Sequence, residues 1–147
     1  MAALILGVTL WLGWNWVSGE PVEEIHLAEE EWASDQGAYI EQEISSGNAV
    51  DARRWLQDPS HGMFEGDPEQ AQALVDDFYE AGAPRVWFID IVRLGEVLLS
   101  DSLAVELPEK NSQRKRVFQV EAAFWQRQEQ GSQADDEGQR YLTVVFD

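Results

Sequence analysis

The chain contains no cysteine. Disulfides, thiol catalysis, thiolate zinc sites and lipidation on cysteine, a bacterial lipoprotein anchor included, are therefore excluded. Positive charge is almost as scarce. Ten Lys and Arg stand against 28 Asp and Glu, the only lysines are Lys110 and Lys115, and the net charge is −18. A surface of that sign repels phosphates and anionic headgroups, because nucleic-acid binding runs on cations that displace counterions. Nucleic acid is thus not an expected partner. Acidity of this kind also suits a saline solvent, where screening shortens the reach of self-repulsion.

Catalytic signatures are missing too. There is no GxSxG, no HExxH and no phosphate-cradling glycine loop. Histidine occurs only at His26 and His61.

What is present argues for a folded unit. Hydrophobic residues make up 44% of the 147-residue chain and seven are Trp, enough to build one domain core without metal or disulfide. Ala2 to Val17 carries no charge and one strongly polar residue, Asn15. As a helix it would run about 24 Å, against roughly 30 Å of hydrocarbon. Local thinning and interfacial Trp11, Trp14 and Trp16 can make up the difference. A membrane segment over residues 1–17 is the expectation, with the following domain outside the cytoplasm. The alternatives are a signal cleaved after Gly19, although a basic n-region is missing, and a buried element of a soluble domain.

Residues 20–48 carry acids and no cation. Ile25, Ala28 and Trp32 fall at helical spacing, so a short amphipathic helix before Gly37 is one reading. Repeated like charges three and four residues apart weaken it, and an acidic tether is expected over the stretch. The organisation expected is therefore 1–19 anchor or signal, 20–48 tether and 49–147 domain. Within the domain, Asn48 and Asp51 offer caps to a short helix carrying Trp55 and Leu56, and Asp58-Pro59 stops it. Asp67 as N-cap, Pro68 at the first helical position, Gln70 completing a capping box and Gly82 at the end predict a helix with Ala71, Leu74, Val75 and Phe78 as its buried stripe. RVWFIDIV reads as a central strand, apolar on both faces. A second strand runs through Ser102 to Leu107, a second helix from about Glu109 to Gln128, and a final alternating strand through RYLTVVF. This order suggests an α+β, ferredoxin-like fold (βαββαβ or αββαβ): an antiparallel sheet with two packed helices, preceded by the N-terminal apolar helix.

Three residues are weak catalytic candidates. Asp90 is the only charge in its strand, and alternation sets it on the face of Val86 and Phe88, where desolvation would raise its pKa. His61 and Glu65 lie in a loop with Asp58 and Asp67. These four could converge on a divalent ion, but their spacing matches no coordination pattern. Asp135-Asp136-Glu137 lacks the ligand spacing of a calcium loop. Arg114-Lys115-Arg116 is a basic cluster suited to an acidic partner or to a solvated helix face. No cofactor and no metal are expected. The leading reading is a membrane-tethered or exported non-enzymatic domain acting through protein contacts, its oligomeric state open. The rivals are a small carboxylate-dependent enzyme and a soluble small-molecule-sensing domain.

Overall fold

The computed structural model describes residues 36–130 and 133–147. Gly37–Asp147 forms one compact unit. The expected apolar helix, His26 and the start of the tether lie outside the described residues. Among those described, no helix is long and apolar enough to cross a membrane.

The unit begins earlier than the acidity of its first residues suggests. Residues 36–45 form helix α1, and Ile40 on it is buried against Ile89, Ala104 and Tyr141. Gly47, at φ 82°, closes the helix in the left-handed conformation. Its glutamates are not all left to solvent, since Glu41 takes the Tyr141 hydroxyl at 2.8 Å and pairs with Arg140. The expected tether therefore stops short of 48, and its last stretch is part of the domain.

Strand β1 (Val50–Asp51) leads directly into helix α2 (Ala52–Gln57). The cap of α2 is Asp51, whose carboxylate accepts the Arg53 and Arg54 N–H groups; Asn48 has no part in it. After β2 (His61–Gly62) comes α3 (Pro68–Ala81), where sequence and structure agree closely. Asp67 accepts the Glu69 N–H at 3.0 Å, Pro68 occupies the first turn, and Ala71, Leu74, Val75 and Phe78 are buried. Gln70 forms no capping box and instead lines a cleft. Gly82 ends α3 at φ 115°, with Gln113 side-chain atoms 3.1 Å from where a Cβ would stand. Gly82→Ala should therefore cost about 1–3 kcal/mol, through left-handed strain and crowding of Gln113. Urea unfolding would read this as a lower midpoint at unchanged slope.

The predicted eight-residue strand is split in two. Strand β3 (Val86–Ile89) stops where Asp90 adopts φ 53°. The chain then leaves the main sheet for a hairpin, β4 (Val92–Leu94) and β5 (Val97–Leu99), turned at Gly95 with φ 63°. It returns through β6 (Ser102–Glu106), α4 (Asn111–Arg127) and β7 (Tyr141–Val145).

Two sheets result. The larger has the order β1-β3-β6-β7, and the smaller β2-β5-β4. Every pairing in the larger sheet is antiparallel. The α+β class holds, but the strand order is not ferredoxin-like. In a split βαβ unit, the strands joined through a helix run parallel with another strand between them. Here β1 and β3, joined through α2, β2 and α3, are antiparallel neighbours, and so are β6 and β7, joined through α4. The cause of the second reversal is visible. Helix α4 carries the chain about 25 Å along the sheet, and residues 133–140 run back beside it. Glu121, in the middle of α4, accepts the Ala134 N–H. Arg114, near its start, binds Asp136 and the Gln139 carbonyl. Strand β7 thus starts opposite the end of β6, with Tyr141 across from Glu106.

Alternation then sorts the side chains. Val86, Phe88, Leu103, Val105, Leu142 and Val144 join α2, α3 and α4 in the main core. Trp87, Ile89, Ala104 and Tyr141 belong to a second cluster with α1.

Candidate functional site

The candidate residues of the sequence fall in three separate places. His61 pairs with β5 through its backbone and stacks on Trp55 at 4.2 Å between ring centroids, and Trp55 stacks in turn on Phe88 at 5.2 Å. The His61 Nε2 lies 3.6 Å from Asp58 Oδ2. Asp58 is already satisfied: the Ser60 hydroxyl and N–H donate to it at 2.7 and 2.9 Å. Those two bonds, with smaller pulls from His61 and Arg54, hold its carboxyl below the usual range. Ser60 points at the carboxylate and not at the imidazole, so no nucleophile–base pair forms. The His61 Nδ1 and the Trp55 Nε1 are buried without a hydrogen-bond partner among the described residues.

Glu65 and Asp67 lie elsewhere, on a cleft of about 80 Å³ lined by Gln70, Phe124, Trp125, Phe146 and neighbouring residues. The loop that presents them is shaped by Asp101. Its carboxylate accepts the N–H groups of Phe64, Glu65 and Gly66 at 2.9, 2.9 and 3.3 Å. Gly66 is there because the backbone passes close to its neighbours: a Cβ would come within 2.9 Å of Phe146 Cβ. Asp67 is committed to capping α3.

Asp90 is in the third place. Expected on the face of Val86 and Phe88, it is instead exposed at a turn, because the strand ends one residue before it. It accepts the Tyr39 hydroxyl, and that bond is the largest cause pushing the Tyr39 phenol up to about 12. His61, Glu65 and Asp90 thus share no cavity and no common hydrogen-bond partner among the described residues. Among the described residues, no group of three or more His, Asp or Glu could hold a metal ion.

The basic cluster divides. Arg114 is mostly buried and fork-bonded to Asp136, with Nη2 at 2.6 Å and Nε at 3.2 Å, while Lys115 and Arg116 are exposed. Asp135-Asp136-Glu137 therefore supplies a structural anchor, and the Arg114 bond, with the Gly138 N–H, lowers the Asp136 pKa.

Two features escaped the sequence reading. Glu121 is only 3% exposed; it falls on the buried stripe of α4 with Val117 and Phe124, and that spacing was the available signal. The other is the small sheet. Val92 faces Leu99 and Leu94 faces Val97 across the hairpin, which sets these four on one side. On the opposite side Leu98 packs against the core. The outer side is therefore solvent-facing, and Val92, Leu94 and Val97 are 47%, 57% and 41% exposed. In a chain this rich in charge, three aliphatic side chains on one outward face need an explanation.

No protein-family model, no curated protein and no solved structure matches the chain.

Proposed function

We propose that the chain is a small non-enzymatic binding domain, held at a membrane by residues 1–17, that acts by docking a partner protein on the outer face of the β4–β5 hairpin. The observation that supports this reading is the side-by-side exposure of Val92, Leu94 and Val97. The occupant it fits is a protein surface with an apolar centre and a basic rim. Asp90 and Asp101 flank the hairpin in sequence and Glu96 sits in its turn, against the single cation Arg93 on β4. The chain has a net charge of −18, so complementary charge steers the encounter while the apolar contact supplies the hold. The enzyme alternative has less support, since a general acid or base needs a second group within hydrogen-bond reach of one reacting position.

A photo-crosslinking side chain at position 96 in cells should give one discrete adduct. Leu94→Asp should reduce its yield about tenfold, as expected when a central apolar contact is lost. Val145→Asp, a change at another exposed apolar residue, should leave it intact. An adduct indifferent to Leu94→Asp, or none at all, would sink the docking reading. The anchor is tested separately by cell fractionation with intact-mass analysis. A cytosolic chain that retains its first residues would remove the membrane from the proposal.

A further inference from the structure

Glu121 is the buried acid that the proposed function leaves unused. It projects from the middle of α4, is 3% exposed, and has neither an ion pair nor a cation bonded to it among the described residues. Its carboxylate is met by neutral donors from two elements. The Trp125 indole N–H donates from one turn further along α4 at 2.8 Å, and the Ala134 N–H donates from the returning segment at 3.1 Å to one oxygen and 3.3 Å to the other. The cations of α4 are engaged elsewhere or face water: Arg114 with Asp136, and Lys115, Arg116 and Arg127 exposed. The segment's own acids, Asp135, Asp136 and Glu137, make no bond to it, and the α3 acids Asp76, Asp77 and Glu80 stand in solvent. The segment's far end is held by Arg114, through Asp136 and the Gln139 carbonyl, and by the Leu107 N–H on the Arg140 carbonyl. Its near end is held to α4 by the main-chain bond to Glu121.

We infer that Glu121 is a pH-sensitive latch, and that residues 133–140 dock on α4 firmly when it is protonated and loosen as it ionises. A carboxylate kept from water with no opposite charge beside it is costly, and two neutral donors repay only part of that cost. Undocking the segment opens Glu121 to water and relieves it. Burial accordingly outweighs the two hydrogen bonds and raises its pKa. The sign follows from linkage: the docked state binds the proton more tightly, so docking is strongest below the ordinary glutamate value. It is progressively lost as pH rises to the elevated value, and it levels off above that. Ala134, which packs against the main core, is what loosening would uncover, so the flank of α4 opens on the less acidic side.

Amide exchange on the full chain between pH 4 and 8 tests this. The Ala134 protection factor should fall by up to about tenfold per pH unit across the window between the two pKa values, while Phe88 in the core keeps its protection. In Glu121→Gln, Ala134 protection should be flat with pH. A flat Ala134 profile in the wild type, the same fall in Glu121→Gln, or an equal fall at Phe88 would each overturn the latch. Should Glu121→Gln fail to fold, carbon-13 titration of the Glu121 carboxyl in the wild type decides. A midpoint above the ordinary glutamate range supports the latch, and one at or below it removes it.

Discussion

Trp55→Ala is expected to cost about 3–5 kcal/mol, the range for emptying the site of a buried large aromatic. For a domain of this size, that would move Tm by roughly 15–30 °C. The loss should be that large because Trp55 joins three parts of the domain. It stands on α2, and its ring stacks on both His61 of β2 and Phe88 of β3. Alanine there leaves the small sheet without its aromatic contact to the main core. Trp55→Phe separates packing from polarity. The phenyl ring keeps a stacking surface, and the substitution removes an indole N–H that is buried without an acceptor among the described residues. An unpaired buried donor costs about 1–3 kcal/mol, which offsets much of the packing lost with the smaller ring. A Trp55→Phe variant within about 1.5 kcal/mol of the wild type is the expected result. A loss equal to that of alanine would mean that the indole N–H has a partner, such as a buried water, and that the stack contributes less than its geometry implies.

Legibility tracks how local the cause of each feature is. Helix α3 was readable because all its determinants lie within sixteen consecutive residues: Asp67, Pro68, an apolar stripe at helical spacing and Gly82. Strands β6 and β7 were readable from simple alternation. The split of RVWFIDIV was not. Its composition is strand-like apart from Asp90, and the break falls there on one backbone angle. An Asp in an apolar run reads equally as a buried charge or as a left-handed turn residue. Helix α1 was hidden for a different reason. Its residues give only a short apolar signal, and its contacts come from far along the chain: Ile40 meets Ile89, Ala104 and Tyr141, and Glu41 meets Tyr141 and Arg140. The ferredoxin-like order failed at the same level. The hairpin β4–β5 interrupts the expected succession, and the place of β7 beside β6 is decided by the path of residues 133–140. The outward hairpin face was hidden as well, because burial of Leu98 and exposure of Leu94 are set by which side of a small second sheet meets the core.

Asp101 carries the other large expected effect. Its carboxylate gathers three main-chain N–H groups of the 64–66 loop, 35 or more residues away in the chain, and so sets the wall of the Glu65–Asp67 cleft. Hydrogen bonds to a charged acceptor contribute about 1.5–3 kcal/mol each. Phe64 is half exposed, so water can replace its acceptor when the carboxylate is removed. Gly66 is partly buried beside Met63 and Phe146, and its N–H has less access to water. The sum is therefore expected near 3 kcal/mol for Asp101→Ala, well below three full bonds. Asp101→Asn should cost about half as much. One amide oxygen can still accept from Phe64 and Gly66, which share Oδ1, while the NH₂ group is left facing the Glu65 N–H. Thermal melts should give the order wild type, Asn, Ala. Amide exchange should place the loss first at Gly66, ahead of α3, because Asp67 caps that helix independently of Asp101. Equal stability of the Asn and Ala variants would show that the loop is held by its side chains instead, with Met63 and Phe146 as the anchors.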